Sequence, residues 1–272
     1  MTILITGATG QLGRLIVGHL LQKVEAGQII ACVRHPEKAA DFARLGIEVR
    51  YGDYDRPESL AEAYAGAGGA KLLLISSPHP DDTVRIRQHV HAIEAAKQAQ
   101  VGHLVYTGFA YPEKSSVTLT QLHLATEYAI RTTGIPYTFL RSALYTDFLA
   151  AIGLKEAAAR GELITYPGDW AFNAVTRDDL ALAAAAVLTE EGHDQRSYEL
   201  TAPRSWTFGE LAQTVSELTG KPVIHREDSA ADSWLYRFLA RIDTSSTSPD
   251  LERLIGRSAT TLRETVKRLI GA

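Results

Sequence analysis

The first fourteen residues constrain this chain more than any other stretch. Ile3-Leu4-Ile5-Thr6 is a short apolar run of strand type, and Gly7-Ala8-Thr9-Gly10-Gln11-Leu12-Gly13 follows at once. Leu12, Leu15, Ile16, His19 and Leu20 then fall at helical spacing. A strand that turns through three glycines into a helix is built to hold a pyrophosphate. The glycines permit a tight turn and close backbone approach, and the free N–H groups of the helix N-terminus face the anion. The competing reading is a glycine-rich turn with no ligand.

The second strand indicates which dinucleotide is involved. Gln28-Ile29-Ile30-Ala31-Cys32-Val33 reads as that strand, and Arg34, His35 and Lys38 follow it. An NAD site usually places Asp or Glu here, on the ribose hydroxyls. A guanidinium instead suits a 2′-phosphate, which it grips through two parallel hydrogen bonds. The position therefore favours NADP(H). A solvated arginine at a strand end is the alternative.

The chain has 272 residues, 45% hydrophobic and 22% charged, which is enough for a sizeable globular core. A net charge of -4 gives no footprint for nucleic acid. No run approaches the roughly 18 apolar residues of a membrane span. The start of the chain shows no basic-then-apolar signal. The single cysteine, Cys32, lies inside a strand and reads as a small buried residue. These features lead us to expect a cytoplasmic protein with no membrane or nucleic-acid partner, acting as a monomer or homodimer.

Apolar strands alternate with helical patterns over the first half. Strands are predicted at 2–6, 28–33, 47–51, 70–76, 102–107 and 136–141. Helices are predicted at 11–22, 36–45, 57–66, 82–99 and 117–133. Continuous apolar runs such as Leu72-Leu73-Leu74-Ile75 suit a parallel sheet covered on both faces. The fold class is α/β, a Rossmann-type doubly wound sheet. The second half reads as a helix at 177–189 capped by Thr176, a strand at 197–201, a helix at 207–219, a strand at 221–225, a loop at 244–248 and a helix at 260–270. We expect a dinucleotide-binding domain over 1–150, with 176–201 returning to it. A smaller substrate lobe is expected over 151–272, above the carboxyl edge of the sheet.

Several residues near that edge carry candidate roles. Asp53, after the third strand, either accepts from an adenine amino group or caps the helix that starts near Pro57. Ser76-Ser77-Pro78 and Thr107-Gly108-Phe109 follow strands 4 and 5 and should line the cleft, with Phe109 reading equally as lobe packing. His123 and Glu127 share a helix face. They read either as a group that orients or protonates a substrate or as a surface ion pair. His89 and His91, two apart on a helix, make a poor metal pair, and no Cys/His cluster has metal spacing. No G-x-S-x-G elbow of a hydrolase appears.

The motif G-x-x-G-x-x-G at 7–13, Arg34 after strand 2 and the Ser76–Pro78 loop together resemble the NmrA-like branch of atypical short-chain dehydrogenases. Within it, the stretches His123–Arg141, Ala143–Phe148, Trp206–Leu211 and Leu262–Lys267 are similar to bacterial triphenylmethane reductases and to type 2 NADPH:quinone oxidoreductases. The Tyr-x-x-x-Lys pair usual in short-chain dehydrogenases is absent, since none of the eleven tyrosines has a lysine four residues later. The resemblance implies an NADPH-dependent reductase of flat aromatic electron acceptors. It implies cofactor contacts from Gly7, Thr9, Gly10, Gln11, Leu12, Gly13, Arg34, Ser76, Ser77, Pro78, Thr107, Gly108, Ser142, Ala143, Leu144, Tyr145 and Arg177. It also implies a substrate pocket walled by Phe109, Tyr145, Trp170 and Phe172. His123 would position the substrate or supply a proton. Two departures bear on the substrate: Ser142 stands where the relatives suggest Asn, and the 229–250 stretch, with Trp234, Tyr236 and Phe238, is shorter. A non-catalytic NADP-binding redox sensor of the same branch is the rival reading.

Overall fold

The computed structural model describes residues 1–271. Its centre is a parallel sheet made by β1 (Ile3–Thr6), β2 (Ile29–Val33), β3 (Glu48–Tyr51), β4 (Lys71–Leu74), β5 (His103–Phe109), β6 (Tyr137–Ser142) and the strand Arg196–Leu200. From one edge the order is Arg196–Leu200, β6, β5, β4, β1, β2, β3. Every pairing in it is parallel. β1 and β4 are neighbours that send their connections in opposite directions, so a crevice opens between their carboxyl ends.

Helices cover both faces, as the apolar strands require. One layer holds α1 (Gln11–Leu20), α2 (Ala40–Arg44) and the helix Arg177–Thr189. The other holds α3 (Pro57–Tyr64), α4 (Asp82–Gln98) and α5 (Thr118–Arg131). The Ala-rich helix Arg177–Thr189 buries nine of its residues because small side chains let it lie close against α1. His19 Nε2 on α1 lies 2.9 Å from Asp178 Oδ1 on that helix. Thr176 caps it by accepting from Asp179 N–H at 3.1 Å.

A third core lies beyond the sheet, built on Phe172, Trp206, Phe208, Leu211 and Val215. It is enclosed by the helices Leu154–Arg160, Phe208–Thr219, Trp234–Leu239 and Leu262–Ile270. Three small strand pairs stitch it together: 144–145 with 174–175, 171–172 with 206–207, and 162–165 with 224–227. Here the expected elements need correction. The strand placed at 221–225 begins at Ile224, because Pro222 has no N–H and the Val223 N–H is taken by Ser216 Oγ at 2.7 Å. The helix Asp250–Ile255, inside the stretch assigned to the lobe, packs on the helix Arg177–Thr189 and the strand Arg196–Leu200. Its Leu251 is fully buried in the sheet's core. Trp234 is 73% exposed, whereas Tyr236 is buried in the lobe. Among the described residues no helix is long and apolar enough to cross a membrane.

Candidate active site

A cavity of about 640 Å³ lies at the carboxyl ends of β1, β2, β3 and β4. Gly7, Thr9, Gly10, Gln11, Leu12 and Gly13 form one wall. Arg34, His35, Gly52, Asp53 and Tyr54 close one end, and Ser76, Ser77, Pro78 and Arg177 line the rest.

The glycine turn has the shape that an anion needs. Gly7 sits at φ +62°, where a side chain is strained. A Cβ on Gly13 would strike the Gly7 carbonyl oxygen and come 2.8 Å from Ala8 Cα. Helix α1 thus begins in direct contact with the loop. Gly10, its N-cap, brings no side chain to satisfy the first turn, whose N–H groups are left for a ligand. Arg14 on α1 is not available to such a ligand. Its guanidinium donates to Asp41 and the Lys38 carbonyl, each at 2.6 Å, and lies over the Phe42 ring. Arg34 and His35 are the basic side chains at that end of the cavity wall.

The opposite wall is held from behind by helix α4. Arg85, Gln88 and His89 fall at i, i+3 and i+4 and share one helix face. Arg85 Nη2 donates to Ser76 Oγ at 2.9 Å. Gln88 Nε2 donates to Asp55 at 2.9 Å, and its carbonyl accepts from the Ser77 hydroxyl. His89 Nε2 accepts from Ser77 N–H at 2.9 Å. The Thr126 hydroxyl donates to the Leu122 carbonyl, so His89 Nδ1, 2.9 Å away, carries the proton and donates to Thr126. Burial, with Arg85 nearby, lowers the pKa of His89 to about 3, in keeping with this neutral form. His91, on the neighbouring face, lies 2.8 Å from the Tyr54 carbonyl. The two histidines that make no metal pair therefore each hold a loop of the cavity. Sequence spacing alone missed this, because their partners lie in the loops after β4 and β3 and on α5, far off in sequence.

His123 is not in a surface ion pair. It is 5% exposed, and its Nδ1 lies 2.7 Å from the Tyr106 hydroxyl. Burial, then Arg85 and His89, push its pKa down to about 3. Its burial and lowered pKa keep it a neutral imidazole at neutral pH. Glu127 turns instead to Arg141, accepting at 2.8 and 2.7 Å. Asp53 does not cap α3, whose N-cap is Arg56. Its carboxylate accepts from Asp55 N–H at 3.0 Å while the residue lines the cavity.

Other expected residues lie away from this wall. Thr107 Oγ1 accepts from Ser76 N–H at 2.9 Å and so supports the serine loop from outside it. Gly108 and the segment Ser142, Ala143, Leu144 and Tyr145 stand at the ends of β5 and β6, beyond the cavity. Tyr145 is linked to it by Arg177, whose guanidinium lies 4.4 Å from the tyrosine ring centroid and also pairs with Asp147. The expected substrate wall is partly core. Phe172 is fully buried between Phe148, Trp206 and Phe208, so its side chain has no free face for a ligand. Trp170 stacks on it at 6.2 Å, and Phe109 stacks on His123 at 6.4 Å. A second cavity of about 500 Å³, between the helices Phe208–Thr219 and Leu262–Ile270, holds none of the expected residues.

The family model for NAD(P)H-binding matches residues 7–191, which span the glycine turn, Arg34, the serine loop and Arg177. The chain belongs to this NAD(P)H-binding family. It is 37% identical to quinone oxidoreductase 2 of Escherichia coli, over 98% of each chain. The triphenylmethane reductase of Citrobacter sp. superposes with a TM-score of 0.93 at 48% identity, over 100% of both chains. A structure of that reductase complexed with NADP(H) matches with a TM-score of 0.91 at 49% identity, over 98% of this chain and 99% of that one. The NADPH-dependent quinone oxidoreductase of E. coli complexed with NADPH matches with a TM-score of 0.87 at 36% identity, over 98% and 99%.

Proposed function

We propose that this chain is an NADPH-dependent oxidoreductase that reduces flat aromatic acceptors, either cationic triphenylmethane dyes or quinones. The observation that carries the reading is the cavity at the β1/β4 crevice. A glycine turn with an open helix N-terminus forms one wall, Arg34 stands at one end, and Arg177 and a braced serine loop complete it. Relatives that span nearly the whole chain include a quinone oxidoreductase and a triphenylmethane reductase.

The residues present fit NADPH. Gly13 lets the start of α1 pack directly on the glycine loop, Gly10 leaves the first-turn N–H groups open to a pyrophosphate, and Arg34 offers a bidentate partner for the 2′-phosphate. Gly7 to Gly13 would hold the pyrophosphate, Arg34 the 2′-phosphate, and Ser76 to Pro78, Arg177 and the Ser142–Tyr145 segment the nicotinamide end. NADPH, when bound, supplies a hydride. The chain's own contribution is to bind, to orient and to exclude water. A dye with an electrophilic central carbon becomes neutral on accepting hydride, so no acid is needed and the missing Tyr-x-x-x-Lys costs nothing. A quinone also takes up a proton. The neutral His123 cannot provide it, which leaves solvent as the donor and His123 as a support for Tyr106 and Phe109. We place the protein in the cytoplasm because its single cysteine, buried in β2, forms no internal disulfide.

The test is NADPH consumption by purified protein against a panel of quinones and triphenylmethane dyes, without added flavin. Turnover with at least one acceptor is expected. Tight NADPH binding with no turnover of either class would favour a redox sensor instead.

A further inference from the structure

Arg85 is a buried cation that the proposed chemistry leaves without a role. Its side chain is 13% exposed. Its carboxylate partner, Asp82, lies 3.3 Å away at i−3, and its buried Nε has no hydrogen-bond partner. Its Nη2 reaches Ser76 Oγ at 2.9 Å, directly behind the cavity wall. Ser76 N–H in turn donates to Thr107 Oγ1, so this charge stands where the ends of β4 and β5 meet. His89, His123 and Tyr106 beside it are neutral, and the Glu127 carboxylate that also acts on Tyr106 is taken up by Arg141. His89, His123 and the Tyr106 phenol all have burial and Arg85 among the influences on them, and Tyr106 also faces Ser76 and Thr126. Positive charge at this end of the site is therefore thinly compensated.

We propose that Arg85 is the residue that selects between acceptors by their charge, acting through Ser76. The inference rests on the reductase reading above. The two acceptor classes move charge in opposite senses. A quinone takes two electrons and one hydrogen as hydride from NADPH, leaving NADP⁺, and negative charge collects on its oxygen before a solvent proton completes the hydroquinone. A triphenylmethane dye arrives as a cation, and hydride on its central carbon gives a neutral leuco product with no proton taken up. A fixed positive charge in a low-dielectric wall favours the first transition state and opposes binding of the second substrate. Arg85 is a positioning and selectivity residue, since it need not touch either acceptor.

The experiment measures kcat/KM for a neutral quinone and for malachite green, together with NADPH affinity, in wild type, Arg85→Gln and Arg85→Lys. Glutamine keeps a donor for Ser76 and removes the charge; lysine keeps the charge. The expected result is a fall in the quinone-to-dye ratio of roughly tenfold in Arg85→Gln, about 1.4 kcal/mol. The ratio in Arg85→Lys should stay near wild type, with NADPH affinity little changed in both. A parallel loss with both acceptors would assign Arg85 a purely structural role. An unchanged ratio, or a loss confined to NADPH binding, would likewise overturn the inference. Wild-type protein that reduces neither acceptor would overturn the reductase reading itself, and this inference with it.

Discussion

Arg34, with His35 beside it, is the arginine at the cavity end of β2 that remains for a ligand, because Arg14 is spent on Asp41, the Lys38 carbonyl and Phe42. A charge-assisted contact to a 2′-phosphate is worth roughly 1.5–3 kcal/mol, or about ten- to a hundredfold in affinity. Arg34→Ala should weaken NADPH by that factor and leave NADH nearly unchanged, as read by fluorescence titration. Equal losses for both cofactors would remove the 2′-phosphate assignment. His123 makes the opposite kind of residue. Losing a true general acid typically costs about a hundredfold or more. His123→Ala should therefore lower dye reduction by less than about tenfold at neutral pH, because the side chain only supports Tyr106 and Phe109. The place of Arg34 at the cavity was legible in the sequence because it depends on one strand end and one turn. His123 was not. Its partner Tyr106 lies 17 residues away on β5, and burial, which sets its protonation, has no local signature.

Helices α4 and α5 face each other with two uncharged imidazoles between them and the sheet. His89 and His123 are held at about 3 in the fold, against an ordinary value of 6.5. As pH falls below about 6.5 the unfolded chain takes up both protons, and the folded chain takes up neither until about 3. Stability must therefore fall with falling pH across that window, by at most about 1.4 kcal/mol per pH unit for each histidine. Tm is expected to drop between pH 6.5 and pH 4, with a shallower slope in His123→Leu. An unaltered slope would show that His123 does not contribute. At the other layer, the helix Arg177–Thr189 is tied to the segment after Asp250–Ile255 by Asp179. That carboxylate is 1% exposed and accepts from Arg257 at 2.7 Å and from Thr260 N–H at 2.9 Å. Asp179→Ala leaves the Thr260 N–H and the half-exposed Arg257 without their acceptor, at a cost of roughly 2 kcal/mol. Chemical denaturation should show that loss, and a change below about 1 kcal/mol would mean that the tie is unimportant. Periodicity placed the long helices well, and Thr176 before Arg177 marked a start correctly. The helix Asp250–Ile255 escaped notice because a six-residue element carries too little period to stand out.

At the scale of the molecule, one crevice and one lobe divide the work. The sheet order places β1 beside β4, and that topology alone sets the glycine turn against the serine loop. The lobe closes over the β5 and β6 ends with an aromatic core whose centre, Phe172, is packed on every side. The sheet could be read from its apolar runs of strand length, although two of its pairings, β1 with β4 and β6 with Arg196–Leu200, join distant parts of the chain. The lobe could not, because its strand pairs are only two to four residues long, too short to show a period. Aromatic residues that line a pocket look the same in sequence as aromatic residues that fill a core. The central claim is that hydride passes directly from NADPH to an acceptor held in this molecule. The most direct measurement is the fate of deuterium from NADPH labelled at C4 on the transferred face, with malachite green as acceptor and no flavin present. Deuterium on the central carbon of the leuco product is the expected result; a leuco product free of label, or reduction that appears only when flavin is added, would contradict the account.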